Sequence, residues 1–147
     1  MVYEENSLKY EDYCRLRESV GWLNFSRKQA ENAIGHSCHT ITARLSSEQR
    51  NPVVGMGRII GDGMYFTIVD IVVQPEYQGM GIGTKIVRML MQYAESMTPA
   101  GGRSSIQLIA EKGKEDFYES MGFKTLPHEF CGCGMRKVLY GKEGEPR

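Results

Sequence analysis

The sequence lacks a long hydrophobic run. No stretch of apolar residues approaches the ~20 needed for a helix to cross a bilayer. It lacks a charge excess too: 18 Lys and Arg stand against 18 Asp and Glu, for a formal net charge of zero. That balance speaks against a nucleic-acid or membrane-surface binder, so neither partner is expected. Cysteine is sparse and unpatterned. Cys14, Cys38, Cys131 and Cys133 make no framework of the kind that staples small secreted domains, and reduced thiols in a cytoplasm are the expectation. The first ten residues carry Glu4, Glu5 and Lys9 and no apolar core, so no secretory signal is expected there. His36, His39 and His128 are scattered. The pair Cys131 and Cys133 therefore has no partner set, and no metal is expected.

What is present suits a globular chain. The 147 residues are 41% hydrophobic and 24% charged, enough for one domain over 1–147 with a real core. The polar, glycine-rich tail 141–147 is expected to fray. Val2–Glu5 reads as a short strand. Tyr13, Leu16 and Val20 share one face of a helix over 10–20. Ser26 suits the N-cap of a second helix reaching Ile34, and Gly35 ends it. Strands follow over 39–45, 53–60 and 64–73, the last two joined by the turn signal Gly61-Asp62-Gly63. A long helix to Met97 carries the apolar stripe Ile82, Ile86, Leu90, Tyr93 and Met97. Lys85, Arg88, Gln92 and Glu95 form its polar face. A strand over 105–110, a short helix over 115–121 and two closing strands over 123–126 and 135–140 complete the string. The pattern predicts a mixed α/β fold, with six to seven mostly antiparallel strands and about four helices.

The sharpest local feature is Gln78-Gly-Met-Gly-Ile-Gly83, between an apolar strand and an amphipathic helix. Alternating glycines uncover the backbone, and the free amides of a first helical turn converge on an anion. The helix dipole adds roughly half a positive charge there. A pyrophosphate fits such a turn; a plain strand-to-helix connection is the rival from the glycines alone. The spacing is not the G-x-G-x-x-G of a dinucleotide fold.

The stretch from Asp70 to Gly83 resembles the acetyl-coenzyme A signature of the GNAT superfamily of N-acetyltransferases, Q/R-x-x-G-x-G/A opening a helix, with Gln78, Gly81 and Gly83 in its fixed places. Phe117-Tyr-Glu-Ser-Met-Gly-Phe123 is similar to the family's second signature, F-Y-x-x-x-G-F, one strand later. The resemblance spans residues 39–140. It implies an enzyme that passes an acetyl group from acetyl-coenzyme A to a primary amine of a small molecule, by direct attack in a ternary complex. The coenzyme is then held by Gln78, Gly79, Met80, Gly81, Ile82, Gly83 and Thr84. Its pantetheine arm would lie along Ile71, Val72 and Val73, where that strand splays from the strand at 105–110. A silent acetyl-coenzyme A sensor, or acetylation of a protein amine, is the alternative. Relatives often pair, which leans the expectation toward a homodimer.

The chemistry asks for three services. An alkyl amine with a pKa near ~10.4 is neutral in about one molecule in ~2,500 at pH 7, so a base or water relay helps. The carbonyl needs a donor, which the resemblance sets at the backbone near Val73. The leaving thiolate needs a hydrogen bond, and Tyr118 stands in the place of the family's acid; without the resemblance it reads rather as a core aromatic on a short helix, beside Phe117. Asp70 lies inside an apolar run. Strand alternation puts it on the face of Phe66, Ile68 and Val72, where it is either a desolvated base or a hydrogen-bond acceptor. Glu76 and Glu111 are weaker bases. Glu111 and Lys114 depart from the Asn and Ala that many relatives carry; the charged pair either adapts the site to a different acceptor, with Glu111 on the substrate side, or is only solvated. Trp22 and Phe25, between the first two helices, read as core aromatics; the resemblance implies that this loop overhangs the acceptor pocket, where the two would meet an apolar or aromatic amine.

Overall fold

A computed structural model describes residues 1–48 and 50–142. The last residues of the expected frayed tail, 143–147, lie outside it. The chain forms two compact units, dividing between Gln107 and Leu108.

In the first unit the elements are β1 (Val2–Glu5), α1 (Tyr10–Ser19), α2 (Arg27–Gly35), β2 (His39–Arg44), β3 (Val53–Gly61), β4 (Tyr65–Val73), a 3-10 turn (Pro75–Tyr77), α3 (Ile82–Met97) and β5 (Ser105–Gln107). The strands pair in chain order. β1 to β4 form an antiparallel meander, and β5 joins β4 in parallel, as a crossover through α3 requires.

Local chemistry accounts for the boundaries. Ser26 caps α2, its hydroxyl accepting from the Gln29 amide at 3.3 Å. The β3–β4 hairpin is tied by Asp62, whose Oδ1 accepts from the amides of Met64 and Tyr65 at 2.9 and 3.0 Å. Those bonds hold the Asp62 carboxyl below its usual range.

The sheet carries a helix layer on each face. Tyr13 and Leu16 of α1 and Ala30 of α2 pack with Met56 and Val72 into one buried cluster. On the other face α3 lies so close that a Cβ on Gly57 would meet Ile71 Cδ1 at 2.6 Å and Ile86 Cγ2 at 2.7 Å. The α3 stripe follows the i, i+4 row through Ile82, Ile86, Leu90 and Ala94, with Val87 beside it. Tyr93 and Met97 fall off that row. Tyr93 is half-buried and stacks on His39 with ring centroids 4.6 Å apart, and Met97 is exposed. Lys85, Arg88, Gln92 and Glu95 are exposed, as the pattern predicts.

The second unit contains α4 (Glu115–Glu119) and an irregular C-terminal segment. The expected strands over 123–126 and 135–140 do not form, so the sheet has five strands rather than six or seven. Phe123 donates its amide to Tyr118 and ends the helix instead of starting a ladder. Pro127 has no amide to give, and Gly132 and Gly134 break the run that follows. An antiparallel bridge between His128 and Cys131 marks this stretch. Met135, Leu139 and Tyr140 are exposed, and an apolar alternation without a neighbouring strand makes no sheet.

Candidate active site

The site is laid out by an irregularity in β4. Arg58 of β3 faces Val69, yet Met56 faces Val72, so β4 spends three residues where β3 spends two. The extra residue is accommodated at Asp70, whose φ of 56° is left-handed. Aspartate tolerates that region better than most side chains, and a bulge is where it is needed. The bulge breaks the alternation. Phe66 packs edge-on to Tyr93 of α3, whereas Asp70 bonds to α1. Asp70 is therefore on the face opposite Phe66 and Ile68, contrary to the simple period-2 expectation, and shares its face with Val72.

β5 pairs only with Tyr65, Phe66 and Thr67. Among the described residues, Ile68 to Val73 of β4 have ladder partners on the β3 side alone. The outer edge of Ile71, Val72 and Val73 is thus open to an added extended chain, the mode by which a strand edge takes a ligand with its own amides and carbonyls.

The same strand runs into the glycine turn. Gln78 Nε2 donates to the Val73 carbonyl at 2.9 Å and pins the turn to the strand end. Gly79 and Gly81 have φ of 79° and 81°, with Met80 between them on the ordinary side. Alternating hand curls successive amides toward one concavity, an anion nest. Gly81 is the N-cap of α3, and the amides from Gly79 to Thr84 find no backbone acceptor among the described residues. A Cβ on Gly79 or Gly81 would meet nothing within 4 Å, so the space before the turn is clear. These features fit a pyrophosphate. Val72 and Ile82 are buried in the core, so they can offer a ligand only their backbone.

Asp70 accepts from Arg17 Nη1 at 2.6 Å, Arg58 Nε at 3.0 Å and the Tyr13 hydroxyl at 2.8 Å. All three charged side chains are about nine-tenths buried: exposure is 11% for Arg17 and 10% for the other two. Burial, then the Asp70 charge, pushes the Tyr13 phenol up to about 12, so it stays a donor. Both carboxylate oxygens are engaged by these three donors. The contacts of Asp70 here are those of a hydrogen-bond acceptor, with side chains as the partners. Glu76 is no stronger a base, because its own backbone amide and then Gln74 hold its carboxyl below the usual range.

In the second unit, Phe117-Tyr-Glu-Ser-Met-Gly-Phe123 folds as one helical turn and its stop. The amide of Phe123 donates to Tyr118 and that of Gly122 to Glu119, with Gly122 at φ 97°. This double bond pattern brings the residue after the glycine back over the last turn. Tyr118 is thereby held edge-on between Phe117 at 4.9 Å and Phe123 at 6.1 Å. Burial, then the charge of exposed Glu111, raises its phenol pKa above 10. It is a proton-bearing donor throughout the neutral range.

The GNAT acetyltransferase domain family matches residues 17–143. The chain belongs to this family. An uncharacterised N-acetyltransferase, ycf52, of Pyropia yezoensis is 30% identical over 123 residues, covering 83% of this chain and 67% of that protein. Serotonin N-acetyltransferase 2, chloroplastic, of Oryza sativa subsp. japonica is 30% identical over 125 residues, covering 82% of this chain and 60% of that protein. The chain thus spans about two-thirds or less of these relatives. A GNAT-family acetyltransferase from Streptococcus pneumoniae superposes with a TM-score of 0.75 at 28% identity, covering 95% of this chain and 98% of that one. Rv2747 of Mycobacterium tuberculosis, solved with CoA and NLQ, shares the fold at 18% identity and a TM-score of 0.64, covering 86% of this chain and 74% of its own.

As a GNAT member the chain is an acyltransferase, and the family's donor is acetyl-coenzyme A. Among the described residues no helix is long and apolar enough to cross a membrane, and no group of three or more His, Cys, Asp or Glu stands together as a metal site. Trp22 and Phe25 do come together, over one guanidinium: Arg17 Cζ lies 5.2 Å from the Trp22 ring centroid and 5.1 Å from that of Phe25. Phe25 is half-exposed. Sequence reasoning missed Arg17, Arg58 and Tyr13. The available signal was Arg58, a cation in an apolar strand, one hairpin away from Asp70, an anion in another; buried charges require partners.

Proposed function

We propose that this GNAT domain transfers the acetyl group of acetyl-coenzyme A to the primary amine of a small aryl-alkyl compound, by direct attack in a ternary complex. The observation that carries the reading is the left-right-left turn at Gly79 to Gly81, with its free amides and open approach, leading from the open edge of β4. In this reading the amides of Gln78 to Thr84 take the pyrophosphate, and the edge of Ile71 to Val73 takes the pantetheine arm. The backbone near Val73 polarises the carbonyl, and Tyr118 donates to the departing thiolate. Because Asp70 is engaged elsewhere, water relays the amine proton out. Glu111 stays a substrate-side residue, close enough in charge to raise the Tyr118 pKa.

The aryl-alkyl acceptor is supported by the half-exposed Phe25 and the exposed Leu23 beside Trp22, and by the serotonin in one relative's name. The four free cysteines suit a reducing compartment, and we place the reaction in the cytoplasm as a homodimer. The test is thiol release from acetyl-coenzyme A with 2-phenylethylamine, spermidine, glucosamine and a lysine peptide. We expect kcat/KM for phenylethylamine at least about 10-fold above the others, the worth of an apolar ring contact of about 1.4 kcal/mol or more. A preference for the lysine peptide would move the acceptor to proteins. No acetylation of any amine would favour a silent sensor.

A further inference from the structure

Two guanidiniums and one carboxylate are buried beside the loop between α1 and α2. Arg17 reaches in two directions. Its Nη1 holds Asp70 at 2.6 Å, and its Nη2 donates to the Leu23 carbonyl at 2.6 Å. Its guanidinium also lies 5.1 to 5.6 Å from the ring centroids of Tyr13, Trp22 and Phe25. The loop between α1 and α2 is otherwise held at its start, where the Trp22 amide donates to the Arg17 carbonyl at 3.0 Å and the Trp22 ring packs against the buried cluster. Leu23 is exposed, and the Asn24 side chain bonds to Glu18 at the surface. Asp70 is anchored in turn by Arg58, which continues to the Ala33 carbonyl and the Ser37 hydroxyl at the end of α2. One carboxylate at the β4 bulge therefore ties down α1, the far end of α2 and, through Arg17, the loop between them.

We infer that Arg17 and Asp70 are a positioning pair: they lock the Trp22–Phe25 loop, the acceptor side of the proposed site, to the β4 bulge beside the strand edge proposed for acetyl-coenzyme A. The inference rests on the proposed function for what the loop positions, and on the contacts alone for the locking. A guanidinium suits the task because it is a flat fork. It donates to a carboxylate with one arm and a carbonyl with the other while its faces meet aromatic rings. Lysine keeps the charge but carries its donors on a single nitrogen, with no fork and no flat face. The two roles of Arg17 are thus separable by substitution.

Trp22 is the sole tryptophan of the chain, so its fluorescence reports the loop directly. The experiment compares wild type with Arg17→Lys and Arg17→Gln, with circular dichroism to establish that each is folded. Three quantities are measured: acrylamide quenching of Trp22, the acetyl-coenzyme A dissociation constant, and KM and kcat for 2-phenylethylamine. We expect quenching to rise about 2-fold or more in both variants. Acetyl-coenzyme A affinity should stay within about 2-fold, KM for the amine should rise about 10-fold, and kcat should fall less than KM rises. Arg17→Lys should recover thermal stability relative to Arg17→Gln without recovering KM. Unchanged quenching in folded variants would overturn the locking. Raised quenching with an unchanged KM would overturn the link to the acceptor. If wild type binds no acetyl-coenzyme A, the proposed function fails while the quenching comparison still decides the locking. Should Arg17→Gln not fold, Arg17→Lys carries the same three measurements.

Discussion

Replacing Asp70 by alanine is expected to destabilise the first unit by about 3–5 kcal/mol, the largest effect of any single substitution we name. The cause is what remains rather than what is lost. Arg17 and Arg58 would face each other, nine-tenths buried, with no anion between them. The native cluster already holds two cations and one anion. It offsets the excess with the carbonyls of Leu23 and Ala33 and the faces of Tyr13, Trp22 and Phe25. Removing the anion strands both guanidiniums and leaves the Tyr13 hydroxyl without its acceptor. Alanine also gives up an aspartate's tolerance of the left-handed backbone at φ 56°, a further ~1 kcal/mol. Urea denaturation monitored by circular dichroism measures the sum. Asp70→Asn keeps the shape and one acceptor oxygen and is expected to lose less. A loss under about 1 kcal/mol for alanine would mean that water or another anion balances the arginines.

The second large effect is on rate. Tyr118→Phe is expected to lower kcat about 100-fold, within the range for losing one positioned proton donor. The dissociation constant for acetyl-coenzyme A should stay within about 2-fold. The ring stays between Phe117 and Phe123, because the substitution removes only the hydroxyl. The sign of the pH dependence follows from its raised pKa. A phenol shifted upward by burial and by Glu111 is protonated at every pH below its own ordinary 10. Activity that needs the proton is therefore fully present through the neutral range and is lost only as pH rises above 10. Below that, the rate should climb with pH as the acceptor amine loses its proton, and Tyr118 should add no limb of its own. Rate profiles of wild type and variant between pH 6 and 9.5 check this. A kcat within a few-fold of wild type would reduce Tyr118 to a core aromatic.

Much of the fold was legible in the sequence because its local signals agree. Ser26 caps the helix it introduces, the Gly61–Gly63 turn closes a hairpin, and the i, i+4 row from Ile82 to Leu90 faces the sheet. The glycine turn was legible too, since left-handed backbone at Gly79 and Gly81 is what alternating glycines permit. The bulge was not. Period-2 reading assumes an unbroken ladder, and one extra residue at Asp70 reverses the face of everything before it relative to everything after. That reversal hid the Arg17–Asp70–Arg58 cluster, because its members come from a helix and two strands whose meeting depends on the register. The closing strands failed for a different reason. Apolar alternation over 135–140 states a preference, while a strand needs a partner, and the breakers between Pro127 and Gly134 precede it.

The central claim is that the turn before α3 binds the pyrophosphate of acetyl-coenzyme A. Calorimetric titration of wild type and Gly81→Asp tests it most directly. Gly81 is left-handed, so any side chain there adds some backbone strain, but aspartate tolerates that region better than most and its Cβ meets nothing within 4 Å, so the variant should fold with a modest loss of stability. Its carboxylate would stand in the concavity meant for an anion. The account predicts saturable binding by wild type, weakened at least about 100-fold in the variant by like-charge repulsion. Equal binding by both folded proteins, or none by either, would contradict it.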